Sequence, residues 1–367
     1  MPVRPVRRAK YKLSASRKKS GNFLYWLVAL ALLALLAWLW WESGNAAHRK
    51  SIIKTPAVPV TTNVVRKSVP APAAALPDTN AFPRPVQNIL EAQLALTQHG
   101  ISSGSLDGVI GSQTRAAITA FQLQEKLPPT GQLDADTRTR LLLDESPYTT
   151  YTVTAADLAR LQPLASTWLG KSQQSALDFE TVLELISEKF FSHPNFIRRL
   201  NPSIDWNNVA AGVVVQAPNA AYPDPPARAA FVKIHLSGKT LEAFDDNTNL
   251  LAHFPCSIAK RVEKRPVGEL HVAVVIPNPN YTFDPEIFPE SPEAQQLNHK
   301  LILPPGPNNP VGVAWIGLDR PGYGIHGTPS PEQVGRTESH GCFRLANWNA
   351  EFLLRLVVVG TPVYVEE

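Results

Sequence analysis

Nineteen consecutive apolar residues, Phe23 to Trp41 (FLYWLVALALLALLAWLWW), limit what this 367-residue chain can fold into. A helix that is apolar on every side, with no charge along it, belongs inside a membrane or a very large core. At 1.5 Å per residue the run spans about 28 Å, close to the ~30 Å hydrocarbon layer. Trp26, Trp38, Trp40 and Trp41 gather towards its ends, where aromatic rings favour the membrane interface. Arg17, Lys18 and Lys19 precede the run and Glu42 follows it. The positive-inside rule then puts the basic tail, residues 1–22, in the cytoplasm and the body outside. The run therefore reads as one transmembrane helix at 23–41. A cleaved secretory signal is the rival, but its apolar segment is shorter and needs a small-x-small site, which Asn45-Ala46-Ala47 supplies poorly. Either way the body is exported.

The formal charge of +4 hides an asymmetry. The first 20 residues hold eight Lys or Arg and no acid, which leaves 27 basic against 31 acidic residues in the rest. The body lacks the basic stripe that nucleic-acid binding needs, so no nucleic acid is expected as a partner. Residues 42–83 are rich in Pro, Ala, Val and Thr without amphipathic period and read as a linker. As a coil they reach roughly 35–40 Å, and as polyproline II up to ~130 Å.

Three globular segments follow. In 84–145, Val86, Ile89, Leu90 and Leu94 recur at helical spacing, and Gly100 suits the position after a helix. Ser112 is placed to cap a second helix with Ala117, Ala120, Phe121 and Gln124 inside, and Asp134 or Asp136 starts a third. In 148–220, a strand at Tyr151 to Val153 leads to a helix carrying Phe179, Val182, Leu183, Ile186 and Phe190. A helix near Pro194 to Leu200 and a strand at Gly212 to Val215 follow. In 229–366, apolar runs at 231–236, 250–258, 270–276, 313–317 and 363–365 are split by Pro and Gly and read as strands. One helix is expected at Trp348 to Leu356, with Asn347 as cap.

The last segment also concentrates chemistry. His326-Gly327-Thr328 and Ser339-His340-Gly341-Cys342-Phe343-Arg344 lie within 19 residues. A thiol, two imidazoles and a guanidinium suit acyl transfer: thiolate attacks, imidazole moves protons, and the cation holds a carboxylate. An imidazolium near Cys342 would lower its pKa. The other cysteine, Cys256, sits in an apolar run and reads as a buried, inert thiol; a bridge between the two would block the nucleophile. A zinc site from His326, His340 and Cys342 lacks the fourth ligand of a structural site, so neither metal nor cofactor is expected. His235, His253 and His271 are scattered through strands and read as structural.

Three resemblances join these observations. Leu106 to Gln122 (LDGVIGSQTRAAITAFQ) resembles the peptidoglycan-binding module found beside cell-wall enzymes. The β-α-α-β order of 148–220, with Asn201-Pro202 before the last strand, resembles a LysM glycan-binding module. A segment of some 25 residues after its first strand departs from that family. Residues 229–366 resemble the L,D-transpeptidase catalytic domain of the YkuD family, in its ErfK-like branch. The match rests on Arg265-Pro266-Val267-Gly268, Asn278-Pro279-Asn280-Tyr281, Pro304 to Gly312, Tyr323 to Thr328 and Ser339 to Leu345. Arg265 stands where the family usually has Thr.

The fold class implied is a multidomain α+β chain: a transmembrane helix, a three-helix module, a βααβ LysM-like module and a β-rich catalytic domain. The resemblance assigns roles by position. Cys342 is the nucleophile and His326 the proton donor and acceptor, with His340 a second base or a thiolate contact. Gly341 contributes backbone to an oxyanion site. Arg344, Ser339, Thr328 and Tyr281 contact substrate. The implied reaction joins peptidoglycan stem peptides: Cys342 attacks at diaminopimelate, D-Ala leaves, and an amine resolves the thioester into a 3→3 cross-link. The amine of a second stem, a D-amino acid or a lipoprotein lysine could accept. A carboxypeptidase using water, or an inactive wall-binding tether, is the alternative. The implied location is the inner membrane of a Gram-negative-type bacterium, single-pass, with the catalytic body in the periplasm.

Overall fold

A computed structural model describes residues 81–287, 292–337 and 341–367. The apolar run 23–41, its basic tail and the linker to residue 80 lie outside them, so the membrane-anchor expectation does too. Among the described residues no helix is long and apolar enough to cross a membrane.

The first segment is closed by β1 (Arg84–Pro85) pairing antiparallel with β2 (Leu142–Leu143). Between them stand α1 (Ile89–Gln98), α2 (Ser112–Gln124) and α3 (Ala135–Arg140). Asn88 caps α1 by accepting from Glu91 N–H, and Asp134 caps α3 by accepting from Thr137 N–H. Leu94, Ile101, Leu106, Ile118, Phe121 and Leu141 form the core. Two expectations change. Ser112 is the first helical residue, not the cap, and Gln124 is exposed. Gln122 is buried instead, because positions 118, 121 and 122 share a face at 3.6 residues per turn. Its amide donates to Thr130 and Thr137 hydroxyls and accepts from Gly131 N–H, so burial leaves no orphan group. Gln93 does the same for the Asp107-Gly108 turn, accepting from Gly108 N–H and donating to Asp107.

In the second segment β3 (Tyr148–Thr152) pairs antiparallel with β4 (Val214–Pro218). The helices α6 (Val182–Lys189) and α7 (Pro194–Leu200) stand where two helices are expected, though Phe179 falls before α6 and Phe190 holds its C-terminal cap. Val153, Phe179, Leu183, Ile186, Ile197 and Trp206 make a core. The departing segment holds two more short helices, α4 (Ala155–Arg160) and α5 (Trp168–Ser172). Its Leu177 and Trp168 do not join this core. They pack with Phe283, Leu301 and Leu303 of the third segment.

That third segment is an eight-stranded sheet. In chain order its strands are β5 (Phe231–His235), β6 (Thr240–Phe244), β7 (Leu250–Pro255), β8 (Gly268–Pro277), β11 (Ala314–Leu318), β12 (Gly324–His326), β13 (Phe343–Arg344) and β14 (Pro362–Glu366). A separate hairpin pairs β9 (Tyr281–Phe283) with β10 (Leu301–Leu303). The sheet order is β13-β12-β11-β8-β14-β5-β6-β7, with β12/β13 and β5/β14 parallel. Its two edges meet: Arg344 N–H donates to Ser257 O (3.0 Å) and Ser257 N–H to Arg344 O (2.9 Å). The helix α8 (Asn347–Leu356) packs Phe352, Leu353 and Leu356 onto Phe254, Ile316, Ile325 and Phe343. His235 and His253 both face Glu242, and His271 faces Asp319.

The second and third segments are joined by amide–carboxyl contacts. Glu184 and Glu188 stand four apart on one face of α6. Asn308 donates to Glu184, and Asn347 Nδ2 lies 3.0 Å from each Glu188 carboxyl oxygen. Asn347 is therefore the first residue of α8 and not its cap; Ala346 holds the cap position. Close backbone approach seals the joint. Leu177 N–H donates to Pro305 O, and a side chain at Gly306 (φ +143°) would collide with Leu177 O.

Burial pushes the Glu188 carboxyl from 4.5 up to about 8, with Asn347 opposing and Glu184, Glu332 and Glu351 adding to the rise. The fold thus favours the protonated form. Stability that is complete below pH 4.5 is lost as pH rises towards 8. The expected loss is on the order of 2 kcal/mol, less than the full displacement because part of the side chain still reaches solvent. Urea titrations at pH 5 and pH 8.5 should show it in the parent chain and not in Glu188→Gln.

Candidate active site

Two buried side chains aim the site. Ile325 on β12 and Phe343 on β13 are both 0% exposed and point into the core. Alternation along a strand then sends their neighbours to the opposite face: Gly324 and His326 on β12 and Arg344 on β13, with Cys342 immediately before β13. The parallel register pairs Ile325 with Phe343 and His326 with Arg344, and the Gly324 backbone lies beside the Cys342 thiol. Cys342 Sγ lies 3.4 Å from Gly322 O. It is not joined to Cys256, which is fully buried in the core.

Trp315, on β11 opposite His326, completes this face. Its ring stacks on the imidazole with centroids 5.7 Å apart. It also covers residue 324, where a β-carbon would lie 2.6 Å from the indole. Only glycine fits beneath it. The sequence reading missed Trp315; its signal was period-2 alternation in the run 313–317, which puts Trp315 and Gly317 on one face.

His326 is buried, and its Nδ1 lies 2.6 Å from Gly327 O. A carbonyl only accepts, so Nδ1 carries the proton and Nε2 the lone pair. Burial pushes the imidazole down to about 4; the Gly327 carbonyl opposes this, and the Arg344 charge adds to it. Burial also raises the Cys342 thiol, against the opposing effects of the Gly324 backbone and Arg344. His326 thus supplies no imidazolium near neutral pH, and His340, the other imidazole of the motif, lies outside the described residues. Burial opposes charge on both groups, so it favours a neutral imidazole and a neutral thiol.

Arg344 is half-buried, and burial lowers its pKa while Cys342 and Tyr281 draw it back. No carboxylate among the described residues pairs with its guanidinium. Tyr281, on β9, is raised by burial and next by the Cys342 charge, with Arg344 opposing, so the phenol belongs to the same constellation. Thr328 is buried, and its N–H donates to Asn347 Oδ1 (3.0 Å). Thr328 and Arg344 line a cavity of about 470 Å³. Each stands two residues beyond His326 or Cys342, neither of which lines it. At Gly341 a β-carbon would meet nothing within 4 Å. Ser339 and His340 lie outside the described residues. The structure thus brings together Cys342, His326, Arg344, Tyr281 and Thr328. Asn347, read from sequence as a helix cap, instead joins the Thr328 backbone to Glu188.

Residues 229–365 match the family model described as "L,D-transpeptidase catalytic domain", and residues 85–141 match the "Putative peptidoglycan binding domain". The chain therefore carries a catalytic domain of the YkuD L,D-transpeptidase family, behind a peptidoglycan-binding domain. It is 28% identical over 182 residues to the "Putative L,D-transpeptidase YkuD" of Bacillus licheniformis, covering 49% of this chain and 91% of that protein. It is 33% identical over 119 residues to the "Putative L,D-transpeptidase YqjB" of Bacillus subtilis, covering 31% of this chain and 58% of that one. Among solved structures, L,D-transpeptidase 3 from Mycobacterium tuberculosis aligns at 19% identity and a TM-score of 0.30, covering 44% of this chain and 77% of that one.

The electrostatics predict the labelling chemistry of the two thiols. Iodoacetamide should modify Cys342 and spare Cys256 in the native chain. The Cys342 rate should climb through pH 9 without levelling off near neutrality, because thiolate is the reactive form. Peptide mass spectrometry over a pH series measures both, and a rate already flat at pH 7 would contradict the raised thiol.

Proposed function

We propose that the chain is a cysteine-dependent peptidoglycan L,D-transpeptidase whose acyl donor is a tetrapeptide stem containing diaminopimelate. The observation that carries this reading is the shared face of Cys342, Arg344 and His326, fixed by the register of β12 and β13. Peptidoglycan as substrate is supported further by the peptidoglycan-binding domain at 85–141.

The steps follow from the protonation states. Cys342 gives its proton to His326 Nε2 as sulfur attacks the carbonyl on the L-centre of diaminopimelate. The tetrahedral adduct collapses, the C–N bond breaks, and imidazolium returns the proton to the departing D-Ala amine. A thioester remains on Cys342. The side-chain amine of a second stem then attacks, loses its proton to His326, and expels the thiolate, leaving a 3→3 cross-link. A D-amino acid or a lipoprotein lysine fits the same step as acceptor. Arg344 pairs with a donor carboxylate, a task suited to a planar fork of donors. Thr328 lines the groove, Tyr281 stands by Cys342 and Arg344, and Ser339 and His340 precede the nucleophile in sequence. The run 23–41 serves as a single-pass anchor that leaves the catalytic body in the periplasm. The LysM-like segment 148–220 joins the wall-binding surface.

Incubating the purified chain with disaccharide tetrapeptide and reading products by mass spectrometry tests the reaction. The expected products are cross-linked dimers and free D-Ala, with a transient acyl adduct on Cys342, all absent from Cys342→Ala. Tripeptide without dimers would assign the carboxypeptidase reaction, and no adduct at all would defeat the enzyme reading.

The pH dependence is a separate test. A base held at about 4 stays able to accept a proton until pH falls to that region. The acid limb of kcat/KM should therefore sit near pH 4–5. An acid limb at the ordinary histidine value of 6.5 would remove His326 from the role of base.

A further inference from the structure

We propose that α5, in the segment that departs from the LysM pattern, forms a wall of the substrate groove, and that Lys171 supplies it with a second cation beside Arg344. The occupant would be a peptide bearing two carboxylates. This deepens the transpeptidase reading and rests on it for the identity of the peptide.

The cavity of about 470 Å³ is lined by Trp168 and Lys171 from the second segment and by Thr328, Ser330 and Arg344 from the third. Two cations and several hydroxyl groups face it, and among the described residues no Asp or Glu lines it. Such a surface attracts anions and repels little that carries negative charge. The other large cavity, about 620 Å³, is lined by Asp157, Asp178, Glu188 and Glu351 against Arg160 and Lys189. That lining mixes both signs, whereas the smaller cavity has cations alone among its described charged groups, which favours it for an anionic peptide.

Lys171 is held in place yet uncommitted. Its ammonium lies 5.5 Å from the centroid of the Trp168 ring, and no carboxylate among the described residues is within ion-pair distance. The nearby Glu293 is already engaged, accepting from the backbone N–H groups of Trp168 and Leu169 at 2.8 Å each. Trp168 is itself fixed, stacked on Phe283 with centroids 4.4 Å apart and planes 13° apart. Phe283 shares strand β9 with Tyr281, so the element that holds Lys171 also braces a residue of the candidate site. Diaminopimelate has two carboxyl groups. When one is the acyl donor, the other remains as a carboxylate, and the chain terminus provides a further one. Two cations in one groove match that spacing of charge better than Arg344 alone.

Calorimetric binding of disaccharide tetrapeptide to the full chain carrying Cys342→Ala, which cannot turn over, tests this. Adding Lys171→Ala should weaken binding about tenfold, the scale of a lost charge-assisted hydrogen bond. Lys171→Glu should weaken it further and Lys171→Arg should largely retain it. With peptides amidated at one carboxylate at a time, the Lys171→Ala penalty should vanish for one amide, and the Arg344→Ala penalty for a different one. Equal affinity with and without Lys171, an equal penalty on every peptide, or no binding by the Cys342→Ala chain would overturn the proposal. Carboxylate-selective binding without any cross-linked product in the turnover assay would uphold the groove and defeat the reaction.

Discussion

The site depends first on the burial of Phe343. A two-residue strand has little propensity of its own, and β13 exists because Phe343 is locked in the core beside Ile325, Ile316 and Phe352. Replacing such a ring by alanine costs roughly 3–5 kcal/mol in a packed core. Once that ring is fixed, alternation leaves Cys342 and Arg344 no choice of face. The parallel pairing with β12 then brings His326 level with Arg344, and the Ser257 bridge ties the same backbone to the far edge of the sheet. Cys342 therefore sits at the seam where the sheet closes, held from both sides.

The second segment acts on this seam from two directions. Through α6, Glu188 grips Asn347, whose Oδ1 accepts from Thr328 N–H two residues beyond His326. Through the departing segment, Trp168 and Leu177 pack behind β9 and β10, the hairpin that carries Tyr281. The first segment also touches the sheet: Ser102 N–H donates to His253 O, and Gln113 donates to Val334 O. The helical segments are thus part of the scaffold around the groove.

What the sequence makes legible follows from which forces are local. α6 and α7 announce themselves by apolar spacing, and β5, β7, β8, β11 and β14 by runs of Val, Ile and Phe. The elements nearest the chemistry do not. β12 is Gly-Ile-His and β13 is Phe-Arg, and both are strands only because long-range pairing makes them so. α5 is five residues long and relies on Glu293, more than a hundred residues away, for two backbone bonds. Asn347 has the composition of a cap, yet a buried carboxyl and a loop amide claim its side chain. The trio His326, Cys342 and Arg344 is readable as a motif, but its protonation is not. Burial sets that, and burial belongs to the tertiary fold.

The electrostatics around Cys342 and His326 bear on the proposed proton transfer. Burial opposes charge on both the thiol and the imidazole, and the Arg344 guanidinium further disfavours an imidazolium beside it. Proton transfer from Cys342 to His326 would create both charges in a place that resists them. A carboxylate bound to Arg344 cancels the charge that opposes imidazolium, and so makes His326 the stronger base. The same carboxylate removes part of the pull that Arg344 exerts on the thiolate, so the gain falls on the base and not on the nucleophile. On the proposed mechanism, the charge that lets the proton move would come from the donor peptide itself.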